Sequence, residues 1–426
     1  MSINFARLNH ILIPSTKAGR DRFRKSPFGR MVRPALFVVT SLSAEGQLFA
    51  AATLFAAAFG FEVRATEAHV LWSALASLLV VSLLATRFYR LDKVRIDVTP
   101  PRRVTVGEEI TFTLSVHNDG ANDQHALRFA GPFLPWDGKW TRGAPKLRAV
   151  KAHATQSVEM FARFIERGQH HLDPFGAAAL VPFGLALGPA KRTSGCRFLV
   201  VPKIANVARV RTPMGRRHQP GGVALASYKG ESKDLLGVRP YRPGDPVRDL
   251  HARSWARIGA PVVREYQQEY FSRIGVILDT DVSVADEALL DAAISLAAGV
   301  VRQLCHGEAL IDVLVVGPRV HRLTLGRSLG TFEQALDLLA CVEPGAPFDA
   351  ETLLAECDPH LARLSCVIMV ALAWDDGRAA VVDRIRAMGV GCKALVVGEG
   401  GSAPVRGGEV LYVSRAAIVR GEALTL

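Results

Sequence analysis

The sequence predicts a multi-domain chain: a transmembrane helical hairpin, then an all-β sandwich, then a C-terminal doubly wound α/β domain. Three observations carry that reading. Two nearly uncharged apolar blocks, Gly46–Phe61 and Ala68–Ala85, flank the short polar link Glu62-Val63-Arg64-Ala65-Thr66-Glu67. From Val94 onward apolar residues recur at every second position, the period of a half-buried strand. After Arg273 short apolar runs alternate with stretches of helical period, the pattern of a mostly parallel sheet.

A chain of 426 residues exceeds one ordinary domain, and its 49% hydrophobic content suffices for large cores. The formal charge of +12 is unevenly placed. Residues 1–33 hold Arg7, Lys17, Arg20, Arg22, Arg24, Lys25, Arg30 and Arg33 against Asp21 alone. A basic cytoplasmic segment over 1–45 is expected, suited to a membrane surface rather than a nucleic-acid groove. It lacks the apolar core and small-residue cleavage site of a signal peptide.

The hairpin is expected over 46–86, because each block approaches the ~20 residues that span a bilayer. Trp72, Phe88 and Tyr89 are placed as interfacial aromatics. Arg87, Arg90, Lys93 and Arg95 follow the second block, whereas the link has one Arg and two Glu. The positive-inside rule then puts both termini in the cytoplasm and the chain in the inner membrane. The six cysteines (Cys196, Cys305, Cys341, Cys357, Cys366, Cys392) form no C-x-x-C pair and read as core thiols of a reducing compartment.

The sandwich is expected over 93–206 and to be immunoglobulin-like. Val94–Thr99, Val104–Asn118, Ser157–Phe164 and Phe198–Val201 read as strands, with a turn at Asn118-Asp119-Gly120. His170-His171 lies in this strand-rich region with no acidic residue at ligand spacing. Residues 207–270 read as a connector. Arg209, Arg211, Arg216, Arg217 and His218 have only Tyr228 for base stacking, so no nucleic-acid partner is expected.

The connector ends in the densest charge of the chain. Pro243-Gly244 is a turn dipeptide, Pro presetting φ and Gly accepting a positive φ. Around it Arg239, Arg242, Arg248, Arg253, Arg257 and Arg264 face Asp234, Asp245, Asp249 and Glu265. An irregular segment held by charge-assisted hydrogen bonds is expected, with Arg248 and Arg257 on buried partners, clasping the sandwich to the α/β domain. His251 reads as a hydrogen-bonded structural residue, with general base as the alternative.

In the α/β domain, 271–426, strands are expected at Arg273–Leu278, Ala309–Val316, Ser365–Leu372, Lys393–Val397 and Glu409–Val413, with an edge strand at Arg319–Leu325. Helices are expected at Ala285–Cys305, Thr331–Cys341, Glu351–Leu361 and Arg378–Met388. Open α/β sheets bind ligands beyond the C-terminal ends of their strands, where Asp279-Thr280-Asp281-Val282-Ser283 falls. Asp279, Asp281 and Ser283 could hold a hard divalent ion such as Mg²⁺. Alternatively, they satisfy loop amides or cap the next helix.

Two resemblances add to this. The charged segment resembles the signature of the bacterial family called domain of unknown function fifty-eight: Leu-Gly-x-Arg-Glu-Tyr-x-Pro-Gly-Asp, then x-x-Arg, His-Trp, Ala-Arg and a later Glu. Leu236, Gly237, Arg239, Tyr241, Pro243, Gly244, Asp245, Arg248, His251, Ala256, Arg257 and Glu265 match, while Pro240 and Ala252 depart from it. The family's Asp-Pro-Phe-Gly-Leu stands here as Val181-Pro182-Phe183-Gly184-Leu185. The strand-end loop resembles the metal-ion-dependent adhesion motif of von Willebrand factor type A domains, Asp-x-Ser-x-Ser, in degenerate form, with Asp281 for the middle Ser. That motif is completed by a later Thr and Asp, for which Thr331 and Asp375 or Asp376 are positioned. The resemblances imply a membrane-anchored, non-enzymatic scaffold or adaptor working with a MoxR-type AAA+ ATPase in assembly or envelope processes. The alternative is a divalent-metal-dependent hydrolase using Asp279, Asp281 and His251. No P-loop, nucleophile elbow or H-E-x-x-H is present.

Overall fold

The structure, a computed structural model, describes residues 41–60, 66–213, 235–266, 273–283, 285–307, 309–317, 320–326, 330–345, 347–398 and 410–426, with Pro27, Met31 and Val38. The chain divides into two compact units, Met1–Val201 and Pro202–Leu426.

In the first unit, helix α1 (Ala44–Gly60) packs against helix α2 (Thr66–Ala85), which ends in a 3-10 turn at Thr86–Phe88. The start of α1 is tied to the sandwich. The Ser43 amide donates to the Leu185 carbonyl at 3.0 Å, and Gly46 lies where a Cβ would come within 1.8 Å of that carbonyl oxygen. The pair of spanning helices expected from the sequence needs correction. Glu62 and Arg64 stop the first apolar run, and α1 has 17 residues, a rise of about 26 Å against a hydrocarbon core of about 30 Å. Among the described residues, Glu67–Phe88 is the one helix long and apolar enough to cross a membrane.

The sandwich is built from short strands: β1 (Val94–Thr99), β2 (Arg103–Thr105), β3 (Glu109–Asn118), β4 (Gln124–Ala130), β5 (Gly138–Trp140), β6 (Lys146–Val150), β7 (Thr155–Phe164), β8 (Gly168–Leu172), β9 (Gly176–Ala179), β10 (Lys191–Arg192) and β11 (Cys196–Val201). They pair in the orders β1-β3-β7-β5, β10-β9-β4-β6 and β2-β11-β8. In β3 the alternation is complete: Ile110, Phe112, Leu114 and Val116 are buried and the residues between them are not. Phe112 meets Phe175 and Phe198 at ring distances of 5.5 Å, with Phe164 on Phe198 at 5.2 Å. The expectation of an all-β sandwich is met. Beside the antiparallel pairings, β2 joins β11 in parallel and makes a third small sheet.

The second unit begins earlier than the expected connector. Strand β12 (Val207–Arg209) pairs in parallel with β21 (Leu424–Thr425) at the end of the chain. Gly299 lies so close beneath this stretch that a Cβ would come within 2.5 Å of the Ala205 carbonyl oxygen. Arg209 and Arg211 therefore belong to this unit; Arg216, Arg217 and His218 lie outside the described residues.

The segment expected to be irregular is a two-stranded antiparallel ribbon, β13 (Leu235–Pro240) with β14 (Val262–Tyr266). A 3-10 turn (Val247–Asp249) and helix α3 (Ala252–Ile258) lie between them. Its alternation was hidden by charges on both faces.

The main sheet comprises β15 (Arg273–Asp279), β16 (Leu310–Val316), β17 (Val320–Leu325), β18 (Cys366–Ala371), β19 (Gly391–Gly398) and β20 (Val410–Ser414). Their order is β17-β16-β15-β18-β19-β20, parallel except for the edge strand β17. Helix α4 (Glu287–Leu304) packs on β15, β18 and β19. Helices α6 (Ala350–Leu361) and α7 (Asp376–Ala387) bury Leu353, Leu361, Val381 and Ile385 with Ile277, Met369 and Ala394 of the sheet. Helices α5 (Phe332–Ala340) and α8 (Arg415–Arg420) pack against α4. The strand order reverses between β15 and β18, the point at which such sheets open a crevice.

Candidate functional site

Asp279 is the last residue of β15 and stands at that reversal, 1% exposed. Its Oδ1 accepts the Asp281 amide at 3.0 Å and its Oδ2 accepts the Leu372 amide, just past β18, at 3.3 Å. Asp281, 4% exposed, accepts the Ser283 amide (2.9 Å) and hydroxyl (2.5 Å) on Oδ1. Its Oδ2 accepts the Phe348 amide at 3.0 Å. Gly345 makes that last bond reachable. A Cβ there would stand 2.2 Å from Thr280 Oγ1, so only glycine lets the backbone at this position lie on the loop.

The remaining oxygens converge on a residue that sequence reasoning missed. Arg378, in the first turn of α7, is 1% exposed. Its Nε donates to Asp279 Oδ2 at 2.8 Å, and its Nη2 lies 2.7 Å from that same oxygen and 3.0 Å from Asp281 Oδ2. Its Nη1 is paired with Asp375, whose other oxygen caps α7 by accepting the Arg378 amide at 2.9 Å. The Phe348 ring covers the guanidinium at 4.7 Å. A signal for Arg378 was present. The first turn of a helix repels cations, so an arginine there needs a strong local reason.

Burial pushes the Asp279 carboxyl up, against the pull of Arg378 and two amides. Burial also acts upward on Asp281, but Ser283, the Phe348 amide and Arg378 together hold it below the usual carboxylate value. Arg378 is disfavoured by burial and still raised, because the Asp279, Asp281 and Asp375 charges outweigh it.

The expected metal ligands therefore come together only in part. Asp279, Asp281, Ser283 and Asp375 meet. Thr331 instead caps α5 in a capping box with Gln334, Asp376 is exposed on α7, and α4 is capped by Asp286. A divalent ion does not fit: the point where three carboxylates converge already holds a guanidinium, and a second cation there would be repelled. No group of three or more metal-ligating side chains is placed to hold a metal among the described residues. Beside Asp279 a cavity of about 40 Å³ is lined by Val316, Phe348, Asp349, Thr352 and Glu356, room for a few waters.

The ribbon holds the second cluster. Arg239 grips Asp245 through two bonds of 2.7 and 2.9 Å and lies 3.6 Å from Glu265. Asp245 also accepts the Arg242 amide, closing the turn in which Gly244 has φ +101° as its sequence required. Gly237 faces Glu265 across the ribbon, and the Tyr241 amide donates to the Pro261 carbonyl. His251 sits at the start of α3 with Nδ1 2.7 Å from the Ser254 hydroxyl, a structural contact. Among the described residues Arg248 and Arg257 have no buried partner: Arg248 is 79% exposed, and Arg257, like Ala256 and Pro243, is exposed. Their neighbours on the helix and turn are polar or solvent-facing.

Two further histidines meet carboxylates far away in sequence. His170 meets Asp137 at 2.7 Å across the sandwich, and His360 meets the fully buried Asp312 at 3.1 Å.

No protein-family model and no curated protein matches the chain. Among solved structures, a fragment of native alpha-2-macroglobulin from Escherichia coli is 14% identical, covering 29% of this chain and 18% of that one at a TM-score of 0.22. Proximal thread matrix protein 1 from the mussel byssus is 15% identical, covering 36% and 46% at a TM-score of 0.27. A CARDB domain from Pyrococcus furiosus is 8% identical, covering 25% and 91% at a TM-score of 0.17.

Proposed function

We propose that this chain is a membrane-anchored, non-enzymatic scaffold or adaptor. One observation carries the reading. Helix α2 turns Val70, Leu71, Val80, Val81 and Leu84 outward, each more than half exposed, over a length that matches a bilayer. Apolar residues on every side of a helix call for lipid around it. The intact chain should partition with membranes and need detergent for extraction. Recovery in the soluble fraction without detergent refutes the anchor.

The adaptor reading draws on the ribbon. Val247, Trp255 and Ile258 are exposed at 74%, 43% and 61%, among the exposed Arg248, Arg253 and Arg257. That mixture of aromatic, aliphatic and arginine side chains is the composition of protein contact surfaces. The resemblance of this segment to the domain of unknown function fifty-eight family supports a MoxR-type AAA+ ATPase as the partner. Copurification of such an ATPase from membranes, and about tenfold weaker binding by a Trp255→Ala, Arg257→Ala double variant, is the expected result. Equal binding by the variant moves the contact elsewhere. The hydrolase alternative draws no support from a loop whose carboxylates are committed to Arg378.

A further inference from the structure

The loop at the sheet's reversal point has the sequence of a degenerate divalent-ion site and the structure of an ion pair. Three carboxylates from two segments converge there: Asp279 ending β15, Asp281 two residues on, and Asp375 capping α7. In a metal site such convergence is compensated by a divalent ion bound through oxygens. Here the compensation is covalently attached. Arg378 applies Nε, Nη1 and Nη2 to those carboxylates, and the Phe348 face closes one side.

We infer that Arg378 is a built-in cation standing where a divalent ion would stand, so that this strand-end face holds a single conformation without any metal. The geometry supports substitution rather than accident. A guanidinium has five donors in a planar fork, and the three carboxylates use all three of its nitrogens. Asp279 and Asp281 are left with no solvent to compensate their charge, being 1% and 4% exposed. The pieces joined in this way, 279–283, Phe348 and 372–378, come from three different stretches of the chain. In a metal-bridged site their mutual position follows ion supply; here it follows the sequence alone. This inference stands independently of the membrane anchor and of the partner.

The test uses the intact chain in detergent, with Mn²⁺ and Ca²⁺ as probes. The parent should show the same thermal midpoint with Mn²⁺, Ca²⁺ or chelator. Arg378→Ala should melt lower and recover about 5–10 °C at hundred-fold ion excess over Kd, with chelator reversing the gain. Adding Asp281→Asn to Arg378→Ala should abolish the recovery, placing the ion in this cluster. Arg378→Lys keeps a cation and should stay insensitive to both ions. If Arg378→Ala does not fold alone, its refolding yield with and without Ca²⁺ is the readout, and recovery supports the inference. Stabilisation of the parent by Mn²⁺ that Asp281→Asn removes overturns it. So does an Arg378→Ala variant that neither ion rescues, folded or refolding.

Discussion

Arg239 and Arg378 are both forked arginines holding more than one carboxylate, and they differ in where they do it. Arg239 lies on a two-stranded ribbon, 28% exposed, with Asp245 and Glu265. Arg378 lies beneath the ends of a six-stranded sheet, 1% exposed, with Asp279, Asp281 and Asp375. The ribbon concentrates six arginines in 26 residues of sequence, from Arg239 to Arg264. The sheet site spends one, in a helix of ordinary composition. The contrast teaches that charge density in a sequence marks where charges are solvated, whereas burial decides which of them the fold depends on.

The largest effect should come from breaking the buried cluster. Arg378→Met leaves two unexposed carboxylates without a counter-charge, and unfolding by denaturant should show a loss of about 3–5 kcal/mol. A loss below about 1 kcal/mol means that the carboxylates take up protons or water instead. Asp281→Asn should cost about 2 kcal/mol, because it weakens bonds from Ser283, the Phe348 amide and Arg378 at once. Arg239→Ala should cost less than either, since it removes from Asp245 two bonds of a guanidinium that water already reaches. If Arg239→Ala proves as damaging as Arg378→Met, burial is not what separates the two clusters.

The same difference in surroundings sets two buried histidines against each other. Burial lowers the His170 value, but the hydrogen bond and charge of Asp137, with Glu166 near, leave it raised. Burial likewise lowers His360, and there Arg322 and Arg273 offset Asp312, leaving it lowered. A raised histidine stabilises the fold below its unfolded value of about 6.5 and loses that contribution as pH rises through its folded value. A lowered one does the reverse, its contribution being present above about 6.5 and lost as pH falls through its folded value. As pH falls from about 8 to 6.5, protection against hydrogen exchange in the sandwich should therefore rise, and as it falls further below about 6.5, protection around β16 should drop. His170→Gln should flatten the first trend and His360→Gln the second. Parallel trends in both units would mean that the neighbours named here do not govern the titration.

Legibility followed the range of the interactions. The alternation of β3 and the apolar runs of β15, β16, β18 and β19 lie within a few residues of sequence, and they stand close to where periodicity put them. Short strands such as β8, with its two histidines, and β9, Gly-Ala-Ala-Ala, carry no such period and exist because of cross-strand partners. The candidate site was half legible. Asp279, Asp281 and Ser283 are contiguous, and Asp375 was a named alternative. Arg378 contacts a carboxylate 99 positions earlier, which no local pattern encodes. Its one local trace, a cation in a helix's first turn, is an electrostatic anomaly rather than a motif.

The smallest expected effect is the sharpest check on the contrast. Arg248 and Arg257 match a long sequence signature, and on that ground alone they rank above Arg378. Arg248 is 79% exposed and lies 3.9 Å from Asp249, beyond hydrogen-bond reach. Arg257 occupies an exposed face of α3, where its charge sits near the helix C-terminus and gains a few tenths of a kcal/mol at most. Arg248→Ala and Arg257→Ala should each leave the unfolding midpoint within about 0.5 kcal/mol of the parent. Their effect should appear only in binding, as a weaker and less salt-dependent association with the partner. A loss of about 2 kcal/mol in stability for either would mean that the ribbon's arginines are held by structure after all, and the clasp expected from the sequence would regain its case over the contact surface.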